Sequence, residues 1–333
     1  MKIIIPMAGM GKRMRPHTLT IPKPLIRIAG KPIVQRLVED IVRVSGTNID
    51  EIAYIIGDFG EEVESHLHRI AADLGARSSV YYQPEPLGTA HAILCAREAL
   101  NGQVTVAFAD TLFSANFRMD TESDGIVWVH KVEDPSAFGV VKTDGDGYIT
   151  RFIEKPDTFI SDMAIIGIYY FRNGENLAAE LQYLIDHQIC KGGEYQLTDA
   201  LQNMMEKGMH FTTGTVDEWL DCGNKNATVF TNQRILELNR HENLIASSVT
   251  IDNALIIPPC YIGNDVVLSK SIIGPHVSIG AHCKVSDSII TNSIIQEHTT
   301  VENINIDNSM IGSYVDYKGR YSEVSIGDYT VMS

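Results

Sequence analysis

The stretch Ala8-Gly9-Met10-Gly11-Lys12-Arg13-Met14-Arg15-Pro16 puts two glycines just ahead of three cations. Glycine lets backbone N–H groups come close to an anion, and Arg13 with the later Lys23 supplies cationic partners for a polyphosphate. The pattern is not GxxxxGK(S/T), and Met14 stands where a dinucleotide fingerprint needs its third glycine. Two acids carry the other half of the chemistry. Asp110 follows the apolar run 104–109, and Asp221 follows Trp219-Leu220, so both are placed to face a cleft. Hard carboxylate oxygens suit Mg²⁺, which binds through one or two carboxylates plus substrate phosphates; the alternative for each is a strand-end turn or cap. No persuasive Ser/His/Asp or Cys/His set accompanies them.

These cations stand against the overall charge. The 333-residue chain carries a net charge of -15, which opposes nucleic-acid binding and makes the basic N-terminal stretch a local exception. Its five cysteines are scattered, with no CxxC pair, and read as reduced thiols. The apolar start is too short for a signal peptide and no window reaches the length of a membrane span, so a cytoplasmic protein without membrane partners is expected.

The elements that must position these residues fall into two blocks, since 333 residues with 44% hydrophobic side chains exceed what one core organises. Up to about residue 110, β-rich runs (2–5, 52–56, 80–83, 104–109) alternate with helical patterns (33–44, 62–74, 90–100). That order predicts a mixed, mostly parallel sheet covered by helices, Rossmann-like, with ligands beyond the carboxyl ends of its strands. A strand-rich section at 125–171 reads as a substrate-side insertion, followed by helices at 178–186 and 197–207 and a helix at 224–238 that ends the domain. Past residue 244, Ile262, Leu268, Ile273, Ile279, Val285, Ile290, Ile295 and Val301 recur every five or six residues. Neither helix nor ordinary strand has that period, whereas a β-solenoid turns one aliphatic side chain inward per short strand. The pairs Ile262-Gly263, Ile273-Gly274, Ile279-Gly280, Ile311-Gly312 and Ile326-Gly327 resemble the hexapeptide repeats of left-handed β-helices. The expected domains are 1–243 (catalytic) and 244–333 (left-handed β-helix).

The segment PMAGMGKRMRPHTLTIPKPL resembles the signature loop of sugar-1-phosphate nucleotidyltransferases, a family that includes glucose-1-phosphate thymidylyltransferases, uridylyltransferases and mannose-1-phosphate guanylyltransferases. The resemblance continues in order through Gln83, Leu87–Ala92, Ala109-Asp110, Phe138-Gly139-Val140, Glu154-Lys155-Pro156, Gly167-Ile168-Tyr169, residues 194–199 and Trp219-Leu220-Asp221. It implies that Ala8, Gly9 and Gly11 meet the nucleotide, Arg13 and Lys23 its phosphates, and Gln83, Gly88 and Thr89 its base. Gly139, Glu154, Gly167 and Glu194 would lie at the sugar and Lys155 at its phosphate, with Asp110 and Asp221 as Mg²⁺ ligands. Lys12 stands where the family usually has threonine, and Ala109 where it usually has glycine. The resemblance therefore leaves dTTP and UTP both open, with GTP as a further alternative, and does not name the sugar.

By the same resemblance a sugar-1-phosphate oxygen attacks the α-phosphorus of the nucleoside triphosphate in line and pyrophosphate leaves; Arg13, Lys23, Asp110 and Asp221 carry catalysis. Some bifunctional relatives use a solenoid histidine for acyl transfer, but His276, His282 and His298 sit among ordinary repeat residues and read as polar turn positions. A non-catalytic regulatory subunit is the remaining alternative, and it is opposed by the presence of every signature cation and carboxylate. The solenoid is expected to hold subunits of a homo-oligomer together and to add no second chemistry.

Overall fold

The computed structural model describes residues 1–115 and 119–320, so the Ile326-Gly327 pair lies outside the described residues. Strand β1 (Lys2–Pro6) buries Ile3, Ile4 and Ile5 completely, as a strand covered on both faces must. It pairs in parallel with β2 (Glu51–Ile56), which pairs with β3 (Arg77–Tyr82), and on its other side with β4 (Val104–Ala107). Helices α1 (Ile33–Ser45), α2 (Glu61–Asp73) and α3 (Thr89–Cys95) make the crossovers. In α1, Ile33, Val34, Leu37, Val38, Ile41 and Val44 form the buried stripe, and Gly46 at φ 60 ends the helix. The single helix expected over 90–100 stops at Cys95, and a 3₁₀ turn at Arg97–Ala99 continues it.

The strand-rich section extends this sheet. Strands β5 (Thr111–Ser114), β6 (Gly125–Lys131), β7 (Val140–Thr143), β8 (Ile149–Ile153) and β9 (Met163–Phe171) precede helices α4 (Gly174–Asp186) and α5 (Leu197–Glu206). Two strands follow, β10 (Phe211–Thr215) and β11 (Glu218–Asp221). The nine-stranded sheet runs β8-β7-β9-β4-β1-β2-β3, with β6 pairing β9 and β10. Strand β9 is antiparallel to β4 and carries an irregularity between Ile165 and Tyr169. The pair β5–β11 forms a separate two-stranded antiparallel ribbon. Ile4, Val106, Phe171, Leu181, Leu201 and Phe211 belong to the core beneath.

The chain divides into two compact units: Met1–Ile26 with Pro32–Gly223, and Arg27–Lys31 with the chain from Asn224 onward. Helix α6 (Lys225–Leu238), read from sequence as the end of the catalytic domain, groups with the solenoid. Its buried face mixes Val229, Ile235 and Leu236 with Thr228, Thr231 and Asn232; Asn232 is fully buried, and its Oδ1 accepts from Ser278 Oγ at 2.6 Å and from Ala29 N at 3.0 Å. Gln296 Nε2 donates to Arg27 O at 3.1 Å, and Arg27 Nε lies 3.2 Å from Glu297. An apolar periodicity can reveal this helix but not which unit such polar pairs tie it to.

The solenoid has three parallel faces, consistent with a left-handed β-helix. Successive strands of one face begin at Thr250, Val267, Lys284, Thr300 and Asp316, so a coil takes 17 or 16 residues. Ile262, Leu268, Ile273, Ile279, Val285, Ile290, Ile295 and Val301 are all buried in its core. Two glycines of the Ile-Gly pairs, Gly263 and Gly280, have the same steric cause, which Gly312 lacks. A Cβ at Gly263 would lie 2.8 Å from Ala281 N, and one at Gly280 would lie 2.6 Å from Glu297 N, both in the next coil. His276, His282 and His298 occupy corners with φ of 62, 59 and 58, a region in which histidine is among the better tolerated residues.

Candidate active site

The glycine-rich loop leaves the carboxyl end of β1. Gly11 has φ 59, and a Cβ there would lie 2.8 Å from Lys23 Cβ, so the position needs glycine for both its backbone and its neighbour. Thr18 Oγ1 donates to Gly11 O at 2.8 Å, and the buried Met14 anchors the turn that exposes Arg13. Lys23 sits in a short 3₁₀ turn, buried, with Nζ 3.0 Å from Asp110 Oδ2.

The ribbon of β5 and β11 explains how acids 111 residues apart in sequence come together. Thr111 and Asp221 are register partners, and Cys222 N donates to Asp110 O at 2.9 Å. Asp110 therefore belongs to a turn after β4, which ends at Ala107, and not to the strand itself. Gly223 N donates to Asp221 Oδ1 at 3.0 Å. Burial pushes the Asp221 carboxyl above the ordinary range, and the neighbouring Asp110 adds to this; Lys23, the Gly223 N–H and Arg13 pull the other way. A partly buried carboxylate pair with one lysine bound to Asp110 is an arrangement that a divalent cation would relieve.

On the opposite side, Gln83 follows β3 and Gly88 precedes α3. Gly88 has φ 103, and a Cβ would run into the Tyr195 backbone, whose N–H donates to Leu87 O at 2.8 Å and whose carbonyl accepts from Ala90 N at 3.0 Å. Gln83 Nε2 donates to Gly88 O at 3.2 Å. Thr89 Oγ1 accepts from Leu197 N at 2.9 Å. Gln196 Nε2 donates to Glu194 Oε2 at 3.1 Å.

A third group gathers on the antiparallel strands. Glu154 Oε2 accepts from the buried Thr198 hydroxyl at 3.2 Å, and a Cβ at Gly139 would lie 3.1 Å from that same oxygen. Lys155, at φ 41, keeps its Nζ 3.8 Å from Glu154. Gly167 lies in the irregular stretch of β9 at φ 86, its carbonyl accepting from Phe108 N at 3.0 Å two residues before Asp110.

Ala8, Gly9, Gly11, Arg13, Lys23, Gln83, Gly88, Thr89, Asp110 and Glu194 line one cavity of about 1020 Å³. Asp221 does not line it, although Gly223 does, and neither do Gly139, Glu154, Lys155 or Gly167. Among the lining residues that sequence reasoning did not name are Gly57 and Asp58. They follow the carboxyl end of β2, the position at which open α/β sheets hold ligands, so strand order alone could have flagged them. Thr198 was missed as well, and only its contact with Glu154 reveals it.

Known proteins resemble this chain in sequence and in fold. The chain is 28% identical over 339 residues to a glucose-1-phosphate thymidylyltransferase of Streptomyces antibioticus, covering 95% of this chain and 93% of that one. It is 36% identical over 183 residues to the mannose-1-phosphate guanylyltransferase catalytic subunit beta of Danio rerio, covering 51% and 49%. A solved UDP-glucose pyrophosphorylase in complex with UDP-glucose shares the fold at TM-score 0.58 and 23% identity, over 71% of this chain and 98% of that one. Residues 2–237 match the nucleotidyl transferase family, and the chain belongs to it.

Proposed function

We propose that the protein transfers a nucleoside monophosphate from a nucleoside triphosphate to a sugar-1-phosphate and releases pyrophosphate. The observation that carries this reading is the convergence of Arg13, Lys23 and Asp110 on the cavity beneath the glycine loop, with Asp221 brought beside Asp110 by the β5–β11 ribbon. dTTP or UTP is the favoured donor and glucose-1-phosphate or a related hexose phosphate the acceptor. GTP is the second donor to test, because of the 36% identity to a guanylyltransferase subunit.

The sugar-1-phosphate is already ionised at neutral pH, so no base is needed. Backbone N–H groups around Gly9 and Gly11 hold the triphosphate, and Arg13 and Lys23 offset the charge that develops as pyrophosphate departs. Gln83, Gly88 and Thr89 face the base; Gly139, Glu154, Gly167 and Glu194 face the sugar, and Lys155 its phosphate. Asp110 and Asp221 would hold Mg²⁺. Two carboxylates fit that ion, and the described residues offer no cluster of three acidic, His or Cys ligands that would suit a protein-caged metal instead. When bound, Mg²⁺ neutralises phosphate charge and fixes its orientation.

In this reading the catalytic domain is 1–243 and the solenoid domain 244–333, although the compact units divide after Gly223 and α6 groups with the solenoid. Residues after 244 serve in homo-oligomer assembly, supported by the exposed row Leu255, Ile272 and Ile289 on one solenoid face. In this role the solenoid histidines are structural: His276 Nε2 lies 2.6 Å from Glu237 and Nδ1 3.1 Å from Asn292 Oδ1. Among the described residues no helix is long and apolar enough to cross a membrane, and all five cysteines are free, which suits a cytoplasmic setting.

A pyrophosphate-release screen of all nucleoside triphosphates against a panel of sugar-1-phosphates, with Mg²⁺, tests the reaction. Release that needs both substrates supports it, and no release with any pair overturns it. Light scattering of the wild type and Ile272→Glu tests the assembly role; a wild-type monomer refutes it.

A further inference from the structure

We propose that His91 is the positioning residue that fixes which end of the Gln83 amide a nucleotide meets, and thereby restricts the site to bases presenting a ring N–H beside a carbonyl. This rests on the nucleotide reading of the cavity above. Gln83 lines that cavity and His91 does not. Gln83 Nε2 lies 3.2 Å from Gly88 O and 3.2 Å from His91 Nδ1. A carbonyl oxygen can only accept, and Gly88 O already accepts from Ala92 N at 3.1 Å. The amide nitrogen must therefore face it, because the amide oxygen there would oppose an acceptor. The second Nε2 hydrogen points to His91 Nδ1, which accepts it in the tautomer that carries its proton on Nε2.

Both amide hydrogens are then used within the protein. Among the described residues nothing donates to Gln83 Oε1, so what the side chain has left for a ligand is an acceptor. A fixed acceptor complements N3–H of uracil or thymine and N1–H of guanine. Adenine N1 and cytosine N3 would present a lone pair to it. His91 is half-buried on α3, one turn in from Gly88, so its ring and the carbonyl it works beside are held by the same element. Without His91 the amide keeps one partner instead of two and can rotate, which turns a fixed acceptor into a group that donates or accepts by circumstance.

The test is calorimetric binding of UTP, dTTP, GTP, CTP and ATP to the full chain with Mg²⁺, alongside turnover with a sugar-1-phosphate. The wild type should bind its best uracil, thymine or guanine nucleotide at least tenfold more tightly than CTP or ATP. His91→Leu should weaken that binding and shrink the preference by about tenfold, the worth of one such hydrogen bond, with kcat within about twofold. His91→Asn, which restores an acceptor, should recover most of the loss. Because His91 acts through Gln83, the pair Gln83→Leu/His91→Leu should lose no more than Gln83→Leu alone. If His91→Leu does not fold, His91→Phe, which keeps the ring volume, takes its place. An unchanged preference in the folded variant, additive losses in the pair, or a wild type that prefers CTP or ATP would overturn the proposal. Absence of turnover with any substrate pair would defeat the reaction reading, while the binding ranks would still decide the role of His91.

Discussion

The solenoid and the phosphate loop use aliphatic and glycine residues for opposite ends. In the solenoid, Ile262, Ile279 and Ile295 occupy successive coils of one face and do the same work, each packing against its equivalents. Gly11 and Lys23 have no equivalents: the one makes room for the other, and the lysine reaches Asp110. Repetition spreads stability over many positions, so each loss is graded. Chemistry concentrates on a few positions, so each loss is close to complete while the fold survives. The difference can be broken or sharpened by substitution.

The largest effect is expected at the carboxylates. Asp110→Asn and Asp221→Asn should each lower kcat on the order of a thousandfold, as loss of a group stabilising transferring charge does, while triphosphate binding partly survives. Asp221→Asn should at the same time melt higher than wild type. Its carboxyl is pushed upward, chiefly by burial and then by Asp110, so at neutral pH the ionised form is held at a cost to folding. That cost vanishes as the pH falls through the raised value, so the difference in Tm should shrink in acid. Wild-type activity in either variant, or a lower Tm for Asp221→Asn at pH 7, would contradict these roles.

Gly88→Ala comes next, since it forces a side chain at φ 103 into the Tyr195 backbone. A loss of roughly 2–4 kcal/mol in urea unfolding is expected, together with a large rise in the nucleotide KM. In the solenoid, Ile279→Ala should cost about 2–4 kcal/mol through the cavity left in a fully packed core, but leave kcat/KM at 25 °C unchanged. Equal stability losses with unequal kinetic losses would be the signature of the division between the two regions; a kinetic loss in Ile279→Ala would erase it.

The same division explains what could be read in advance. Period carries the solenoid, and each of the eight aliphatic residues picked by spacing is buried. Alternation carries β1, α1, β2 and α2 nearly to the residue. Membership of α6 in the second unit was not legible, because Asn232 and Glu237 act through polar partners far away in sequence, Ser278 and His276. At the site, motifs identified residues one at a time, but not which of them share a cavity. The Asp110–Asp221 pairing depends on the β5–β11 register, and the Thr198 contact with Glu154 on the packing of α5; neither is a local property of the chain.

The smallest effect is expected at the corner histidines, where it discriminates most finely between structure and chemistry. His298 stacks between His282 and Tyr314, with ring centroids 4.8 Å away on each side and interplanar angles of 19° and 4°. It also occupies φ 58, so its removal mixes two terms, lost stacking and a backbone region that alanine tolerates poorly. His298→Ala should lower stability by about 1 kcal/mol, the usual worth of aromatic pairing plus some backbone strain. His298→Gly loses the same stacking but relieves the strain, so it should be at least as stable as His298→Ala, reversing the order expected at a site with negative φ. Urea midpoints of the two variants separate the terms. Nucleotidyl transfer should be the same in both, since a residue whose ring faces are covered by rings of the adjoining coils acts on the solenoid alone. A loss of turnover in His298→Ala, with its midpoint unchanged, would show instead that this corner takes part in chemistry.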